Sequence, residues 1–308
     1  MVDWISDLLD QLTEMKTWGY AHDSENATEP VAMSTLALLS HGRFQTASRG
    51  FDWLHQQQLP DGTLGVTPSQ TTPKWPTFLA ILAWKMDDIL GQDQQSTHRH
   101  GKSVDKAVDA MLQIKATIIP IRSDTPLRNR GVTHNTTLLG WPWVEGTHSW
   151  CEPTAMALMA LRASGNDDQP RAKESVELLL DRILPTGGCN YGNTTVLGQM
   201  LRPHIQPTGL VLTALAGFDS SRKPIRNSLR YLQKTLCSQT ATASLCWGLM
   251  GLASHGIFPS DGLSLLEHAY RRTRQFDQSA WKLALIALAA LGNGSPLFAH
   301  CHTEEMFG

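Results

Sequence analysis

Glu152-Pro-Thr-Ala-Met-Ala-Leu-Met-Ala-Leu161 is one of six related stretches in this chain of 308 residues. The other five stretches begin at Glu29, Trp75, Gln206, Ala243 and Ser279. Ala, Leu and Met favour helices, and four of the stretches carry proline at their second position, which suits the first turn of a helix. A helix that is apolar on every side has to be buried on every side. The six stretches therefore predict an inner ring of six helices whose beginnings lie at one end of the ring.

Amphipathic segments alternate with these apolar stretches. Residues 43–58 place Phe44, Ala47, Phe51 and Leu54 on one helical face. Similar segments occur at about 103–115, 171–184, 223–236 and 262–274. The N-terminal segment also has one apolar stripe, formed by Trp4, Ile5, Leu8, Leu9 and Leu12. Placed outside the last inner helix, this segment brings the outer set to six helices and closes the ring.

The predicted fold class is therefore all-α, an α6/α6 toroid in which six outer helices surround six inner ones. Because such a repeat favours one domain over two, residues 1–308 are expected to form a single toroid domain with an insertion at about 90–137. The insertion lengthens the spacing from Trp75 to Glu152 to 77 residues. A long irregular segment of this kind is usually a functional lid or a mobile loop, and the sequence leaves both interpretations open.

The composition argues against several classes of function. A formal net charge of −2 gives no electrostatic reason to expect nucleic-acid binding. The longest apolar runs, about ten residues, are too short to span a bilayer. The five cysteines have no paired spacing and are interpreted as reduced thiols, and the acidic, amphipathic N-terminus does not resemble a signal peptide. We therefore expect a cytoplasmic protein.

Three kinds of motif connect the chain to a known family. Trp53-Leu-His-Gln-Gln-Gln58 ends an outer segment, and Asp61-Gly-Thr-Leu-Gly65 forms a turn. Trp-Pro-Thr and Glu-Pro-Thr start the inner stretches at Trp75 and Glu152. These motifs resemble the prenyltransferase/squalene-oxidase repeat, and the resemblance covers the whole chain as repeats. It implies the α/α toroid of protein prenyltransferase β subunits and class II terpene cyclases. Function is implied less strongly, since one toroid supports many chemistries.

The catalytic motifs of that family are absent from the sequence. Class II terpene cyclases protonate their substrate with an Asp-x-Asp-Asp motif, and the nearest string here is Asp87-Asp88, at the far end of the second inner stretch. Protein prenyltransferases bind zinc through an Asp-x-Cys pair, which does not occur. Trp150-Cys151 and Cys301-His302 resemble zinc-ligand motifs of lanthionine-forming cyclases, but the surrounding glycines are missing. We therefore expect no metal and no cofactor.

In this architecture the beginnings of the inner helices and the loops before them line a central cavity. The polar and aromatic residues at these places are predicted to bind the substrate: Tyr20, Trp75, Trp141, Trp143, Trp150, Tyr191, Gln206, Trp247, Asp277 and Trp281. Aromatic walls around a few polar groups suit an apolar or ring-shaped ligand, and aromatic faces can stabilise carbocations. For Trp247 and Trp281, which lie within inner stretches, packing in the core is an equally good interpretation.

Glu29 and Glu152 occupy the same position in two repeats and are candidate catalytic acids. A carboxylate at the beginning of a helix is commonly a group that interacts with the positive end of that helix. A carboxyl group partly buried among tryptophans instead has a raised pKa and can act as a general acid near neutral pH. His148, in a glycine-containing loop before the third inner stretch, is the third catalytic candidate, although a lone histidine is more often structural.

The sequence favours a terpene cyclase-like or prenyltransferase-like enzyme that acts on an isoprenoid in a central aromatic cavity. Glu152 is expected to be the general acid, assisted by Glu29 or His148. The expected partner is a small apolar substrate, with transient membrane contact as one route of substrate uptake. Two alternatives stay open: a glycosidase that uses both carboxylates, and a non-catalytic toroid that binds a lipid, glycan or peptide. The sequence does not determine the oligomeric state.

Overall fold

The computed structural model of the protein describes residues 3–91, 99–118 and 133–301. Within these ranges the chain forms twelve α-helices, one short hairpin and two 3₁₀ turns. The six helices of the inner set are α2 (Thr28–Ser40), α4 (Thr77–Leu90), α6 (Cys151–Ala163), α8 (Ile205–Ala214), α10 (Thr242–Ala253) and α12 (Ala280–Ala290). The outer set is α1 (Trp4–Glu14), α3 (Phe44–Gln57), α5 (Gly101–Gln113), α7 (Pro170–Asp181), α9 (Lys223–Thr235) and α11 (Gly262–Phe276).

The inner helices form a closed ring. Each one contacts the next along the chain, and α12 returns to contact α2. Burial follows from this arrangement: in α2, every residue from Thr28 to Leu39 is buried. Apolar side chains on all sides of a helix lose contact with water only when neighbours surround the helix, which is what the ring supplies. The all-α toroid predicted from the six apolar stretches is confirmed.

The outer helices bury one face each against the ring. In α9, for example, the buried residues are Ile225, Ser228, Leu229 and Leu232, which recur at the spacing of a single helical face. Helix α1 contacts α12 and α2, so the N-terminal stripe lies outside the last inner helix, as the sequence indicates. The hydroxyl of Tyr270 donates a hydrogen bond of 2.8 Å to Asp7 Oδ2 and connects α11, the last outer helix, to α1, the first.

Threonine at the third position of three repeats connects each inner helix to the loop that precedes it. Thr77 Oγ1 accepts a hydrogen bond of 2.9 Å from the amide of Leu64, and Thr154 Oγ1 accepts one of 2.9 Å from the amide of Trp141. Thr208 Oγ1 accepts the equivalent bond from Cys189 at 2.8 Å. In these three repeats Pro-Thr therefore has two roles: proline fits the first helical turn, and threonine supplies an acceptor for a buried amide of the loop.

Helices α8 and α10 approach closely because both present glycine at their contact. A Cβ atom added to Gly209 would lie 2.2 Å from the carbonyl oxygen of Trp247, and one added to Gly251 would lie 2.7 Å from the carbonyl oxygen of Gly209. Any larger residue at either position would push the two backbones apart. The contact joins the middle of α8 to the second half of α10.

The insertion predicted at about 90–137 is only partly within the described residues. Its described portion contains the outer helix α5, while residues 92–98 and 119–132 lie outside the described ranges. At its border, Asp87 near the end of α4 accepts a hydrogen bond of 2.8 Å from His100. None of the described helices is both long and apolar enough to cross a membrane.

Candidate active site at the beginnings of the inner helices

Glu152 lies in the first turn of α6, where its side chain is buried to 5% exposure. The amide Nε2 of Gln206, in the first turn of α8, donates a hydrogen bond of 3.1 Å to Glu152 Oε1. Burial raises the pKa of Glu152 to about 7, and the hydrogen bond from Gln206 offsets part of that rise. Near neutral pH the carboxyl group therefore exists in both protonation states, as a general acid requires.

Glu29 occupies the equivalent place in α2 and is 7% exposed. The hydroxyl of Tyr20 donates a hydrogen bond of 2.7 Å to Glu29 Oε2. Burial raises the pKa of Glu29 to about 7, while Tyr20 and the indole of Trp281 favour its charged form. The indole N–H of Trp281 lies near enough to Glu29 to lower its pKa. It does not reach hydrogen-bonding geometry, so Trp281 Nε1 has no hydrogen-bond partner.

The charge of Glu152 reaches Glu29 although the two residues belong to the third and first repeats. The charge of Glu152 contributes to the raised pKa of Glu29, so the two groups lie within Coulombic reach. Each carboxyl group has its own hydrogen-bond donor: Tyr20 donates to Glu29, and Gln206 donates to Glu152. Burial and Glu29 raise the pKa of Tyr20 far above its ordinary value, which keeps its hydroxyl a donor. The arrangement holds two proton-exchanging groups at one end of the ring.

His148 lies in the loop before α6, with its ring 4.3 Å from that of Trp150 between centroids. Its Nε2 atom is buried without a hydrogen-bond partner. Burial and the nearby charge of Arg182 lower the pKa of His148, so the imidazole is neutral at pH 7. The structure brings His148 next to the beginning of α6, but gives it no contact with Glu152 or Glu29 among the described hydrogen bonds.

Aromatic side chains cluster around these helix beginnings. Trp75 and Trp143 meet edge to face at 4.9 Å between ring centroids and line a cavity of about 80 Å³ together with Phe78. Tyr20 and Trp281 form a second edge-to-face pair at 5.9 Å. Aromatic pairs of this geometry are rigid, apolar surfaces with a negative ring face, which suits a hydrocarbon or a cation derived from one.

Two of the predicted cavity residues are instead packed inside the protein. Trp141 has no exposed surface, its indole donates a hydrogen bond of 2.9 Å to the carbonyl of Met111, and the guanidinium of Arg171 lies 3.9 Å from the centre of its ring. Trp247 in α10 is 1% exposed, and its carbonyl contacts the backbone of Gly209. Both rings are occupied by protein contacts on all sides, so neither presents a face to a ligand.

Asp277 also has partners that account for its position. Its Oδ1 accepts a hydrogen bond of 2.9 Å from the amide of Ser279, and its Oδ2 forms an ion pair with Lys282. Carboxylates in front of a helix stabilise its free amides and its positive end. Asp277 therefore stabilises the beginning of α12, and this contact explains its presence without a ligand.

A larger cavity of about 370 Å³ opens between the beginnings of α8 and α10. Gln206 and Tyr191, both predicted from the sequence, are among its lining residues, and the ring of Tyr191 lies 5.0 Å from that of His204 between centroids. Five further polar residues of this lining carry no motif that marks them in the sequence: Tyr231, Cys237, Gln239, Thr240 and Ser244. Tyr231 lies in α9, Ser244 lies in α10 and the other three lie in the loop between these helices. The repeat at α10 has no Pro-Thr start, so it lacks the signal that marks the repeats at α4, α6 and α8.

Among residues 3–91, 99–118 and 133–301, no three His, Cys, Asp or Glu side chains are grouped as a metal site would require. Cys151 is buried against Cys189, and both are free thiols. The side chains of Cys301 and His302 lie outside the described part of the chain.

Comparison with known proteins identifies the fold. No family model and no curated protein sequence matches the chain. A ligand-free variant of the type II terpene cyclase MstE from Scytonema superposes with a TM-score of 0.56 at 11% identity, covering 96% of this chain and 98% of that one. Another variant of that enzyme, in complex with its substrate geranylgeranyl dihydroxybenzoate, gives a TM-score of 0.56 at 12% identity and the same coverage. The chain has a terpene cyclase-like fold.

Proposed function

We propose that the protein is a terpene cyclase-like enzyme in which Glu152 protonates an isoprenoid substrate held against aromatic side chains. One observation carries the proposal: a carboxyl group at the beginning of an inner helix is buried, and its pKa is raised to about 7. A carboxylate that caps a helix at the protein surface would not have a raised pKa, because solvent would keep its pKa near the ordinary value. Burial supplies an acid that is partly protonated at neutral pH.

The reaction begins with transfer of the Glu152 proton to an alkene carbon or an epoxide oxygen of the substrate. On an alkene, the π electrons form the new C–H bond and leave the positive charge on the neighbouring carbon. On an epoxide, protonation of the oxygen weakens a C–O bond, and the electron pair of that bond leaves with the oxygen. A second alkene of the same molecule then attacks the cationic carbon and closes a ring. Loss of a proton from the final cation restores the proton balance.

The remaining residues of the site have roles that fit this chemistry. Glu29 accepts the hydroxyl hydrogen bond of Tyr20, which favours its charged form, and we assign it as the negative charge that faces the cation or receives the final proton. Trp75, Trp143 and Trp281 supply aromatic faces, each worth about 0.5–2 kcal/mol to a nearby cation. Gln206 positions the Glu152 carboxyl group through its hydrogen bond.

The fold similarity supports an apolar isoprenoid as the substrate class. The Scytonema enzyme binds a geranylgeranyl chain attached to a dihydroxybenzoate group. The aromatic pairs Trp75–Trp143 and Tyr20–Trp281 offer apolar surface for a chain of that kind, since the apolar part of such a ligand gains free energy from burial.

The test is a product assay on the full chain with geranylgeraniol, geranylgeranyl diphosphate and a squalene epoxide, analysed by mass spectrometry. We expect cyclised product from the wild type and loss of most turnover in Glu152→Gln, with ligand-induced thermal stabilisation retained. Glu177→Gln, an exposed position on α7, is the matched control.

Unchanged turnover in Glu152→Gln would overturn the assignment of the acid. Stabilisation by these ligands without product would identify a binding module, and stabilisation by oligosaccharides alone would favour the glycosidase.

A further inference from the structure

Three buried nitrogen atoms without hydrogen-bond partners belong to residues near the beginning of α6 that lie within electrostatic reach of one another. They are His134 Nδ1, His148 Nε2 and Arg182 Nε. Arg182 is 3% exposed and His134 is 9% exposed. An unpaired buried donor loses its bonds to water without replacement, so native proteins rarely contain several such atoms in one place. Their grouping indicates a ligand.

The guanidinium of Arg182 is held through both terminal nitrogens, and its Nε–H has no hydrogen-bond partner. Arg182 follows directly after α7, and its Nη1 bonds to Asp181. Its Nη2 donates a hydrogen bond of 3.1 Å to the carbonyl of Asn135, whose own amide donates one of 2.9 Å to Asp181 Oδ2. This clamp fixes the segment that contains His134 against the end of α7. Because the clamp uses both terminal nitrogens, the Nε–H of Arg182 is oriented by the protein but not used by it.

The two histidines approach Arg182 from separate segments. His134 belongs to the clamped segment, and His148 belongs to the loop before α6, where it packs on Trp150. The charge of Arg182 acts on both imidazoles, and His148 also acts on His134. Three separate segments of the chain therefore each contribute a buried, unpaired nitrogen within electrostatic reach of the other two residues.

The chemistry of these groups selects an anion. A guanidinium is positively charged and has only donors, so it repels a metal ion and offers it no lone pair. Burial and Arg182 lower the pKa of His134 to about 4 and also lower the pKa of His148, so that each neutral ring carries one N–H to donate. The other groups that face the cluster are Asp181, already bonded to Arg182, and the buried thiol of Cys151. A fixed guanidinium with an unused N–H, together with two neutral imidazoles that can each place their hydrogen on the unpaired nitrogen, matches a carboxylate or a phosphate.

We propose that His134, His148 and Arg182 form a binding site for an oxyanion, a carboxylate or phosphate group. His148 precedes Glu152 by only four residues, and Trp150 lies between them in the sequence. The site is therefore placed to hold the acidic head group of an isoprenoid whose chain lies in the cavity, or a free anion. The first of these sources rests on the proposed function, whereas the oxyanion site itself does not.

The direct test is isothermal titration of the full chain with sodium phosphate and with sodium acetate, at constant ionic strength set by sodium chloride. We expect saturable binding by the wild type. Arg182→Gln and His148→Phe should each weaken it roughly tenfold or more, the effect of losing one hydrogen bond to a charged group. His148→Phe keeps a ring against Trp150 and removes no hydrogen bond within the protein, so it is expected to fold even where Arg182→Gln does not.

Arg162→Gln is the matched control, because Arg162 also donates to backbone carbonyls but lies at the other end of α6. It should bind phosphate like the wild type. The site is refuted if the wild type binds neither phosphate nor acetate, or if Arg182→Gln and His148→Phe bind them unchanged.

Two prenyl ligands distinguish the sources of the anion. Geranylgeranyl diphosphate should bind more tightly than geranylgeraniol, and this difference should disappear in Arg182→Gln if the site holds a head group. If phosphate binding depends on Arg182 while the two prenyl ligands bind alike, the site takes a free anion. Both results support the oxyanion site. The phosphate titration does not depend on turnover, so a lack of cyclised product would refute the proposed function and leave this inference standing.

Discussion

The side-chain amide of Gln206 donates a hydrogen bond of 3.1 Å to Glu152 and joins the first turns of two neighbouring inner helices. Burial raises the pKa of Glu152 because it favours the neutral acid, whereas the hydrogen bond from Gln206 lowers this pKa because it favours the carboxylate. The balance places the pKa of Glu152 at about 7. The availability of a proton at this site is therefore controlled by a residue 54 positions away in the sequence.

Replacing Gln206 with leucine should raise the pKa of Glu152 further. The charged form loses its donor while the burial remains, and a hydrogen bond to a charged group corresponds to a shift of about one pKa unit or more. The measurement is ¹³C NMR titration of the labelled glutamate carboxyl groups, with Glu152→Gln identifying the resonance. Gln56→Leu, at an exposed position of α3, should leave the titration unchanged. A Gln206→Leu titration that matches the wild type would show that the bond does not influence the acid.

The two buried glutamates should make the protein less stable as the pH rises. The pKa of each is about 7 in the folded state, above the ordinary value of 4.5, so the folded state holds their protons more tightly than the unfolded chain. This contribution is fully present below pH 4.5 and is lost as the pH rises through 7, by up to about 3 kcal/mol for each group.

Urea denaturation at pH 5 and pH 8 measures this loss, by comparing the wild type with the double variant Glu29→Gln, Glu152→Gln. The double variant should lose less stability between the two pH values, because glutamine does not titrate. The histidines with lowered pKa, such as His55, act in the opposite direction and are present in both proteins. An identical pH dependence in the two proteins would mean that the carboxyl groups are solvated.

A chain of hydrogen bonds at the opposite end of α4 should contribute to stability. His100 Nε2 lies 2.8 Å from Asp87 Oδ2, and its Nδ1 lies 2.7 Å from His55 Nε2. Because Asp87 can only accept, it determines which nitrogen of each imidazole carries the proton. Asp87→Ala leaves the N–H of His100, which is 1% exposed, without an acceptor and should cost about 1–3 kcal/mol in chemical denaturation. Asp105→Ala, on the exposed face of α5, should cost less than about 0.5 kcal/mol. Equal effects of the two substitutions would contradict the role of the chain.

The repeated threonine should be required for its hydroxyl and not for its shape. Thr154→Val keeps the volume but removes the acceptor for the buried amide of Trp141, so we expect a loss of about 1–3 kcal/mol in the free energy of unfolding. Thr235→Val is the control, since that exposed hydroxyl bonds only to its own helix at Tyr231. If Thr154→Val is as stable as the wild type, the threonine is not what connects the loop to the helix.

The close contact of α8 and α10 should tolerate no added methyl group. Gly209→Ala places a Cβ atom 2.2 Å from the carbonyl oxygen of Trp247, so the helices have to separate, at a cost of about 1–3 kcal/mol or more. Gly294→Ala, where no atom lies within 4 Å of the added carbon, should change the melting temperature little. Thermal unfolding of both variants measures the difference, and a Gly209→Ala protein with wild-type stability would show that this contact is looser than the structure indicates.

The sequence by itself determined the ring. Whether a stretch such as Cys151–Ala163 is apolar on all sides is a property of its own composition, and the alternation of such stretches with amphipathic ones requires an inner and an outer layer. The spacing of leucines in α1 likewise placed this helix on the outside. The residues at the beginnings of the inner helices could also be listed, because a periodic fold brings equivalent positions to one end.

Only the tertiary structure decided what each of those residues does. Glu152 meets Gln206 and Glu29 meets Tyr20, whereas Trp141 and Trp247 turn inward to the core. Likewise, His134 and Arg182 carried no signal in the sequence until the clamp at Asp181 and Asn135 brought them to His148. The reason is physical: hydrophobic periodicity specifies which face of a helix is buried, but a pKa or a missing hydrogen-bond partner depends on distances of a few ångströms between side chains of different repeats.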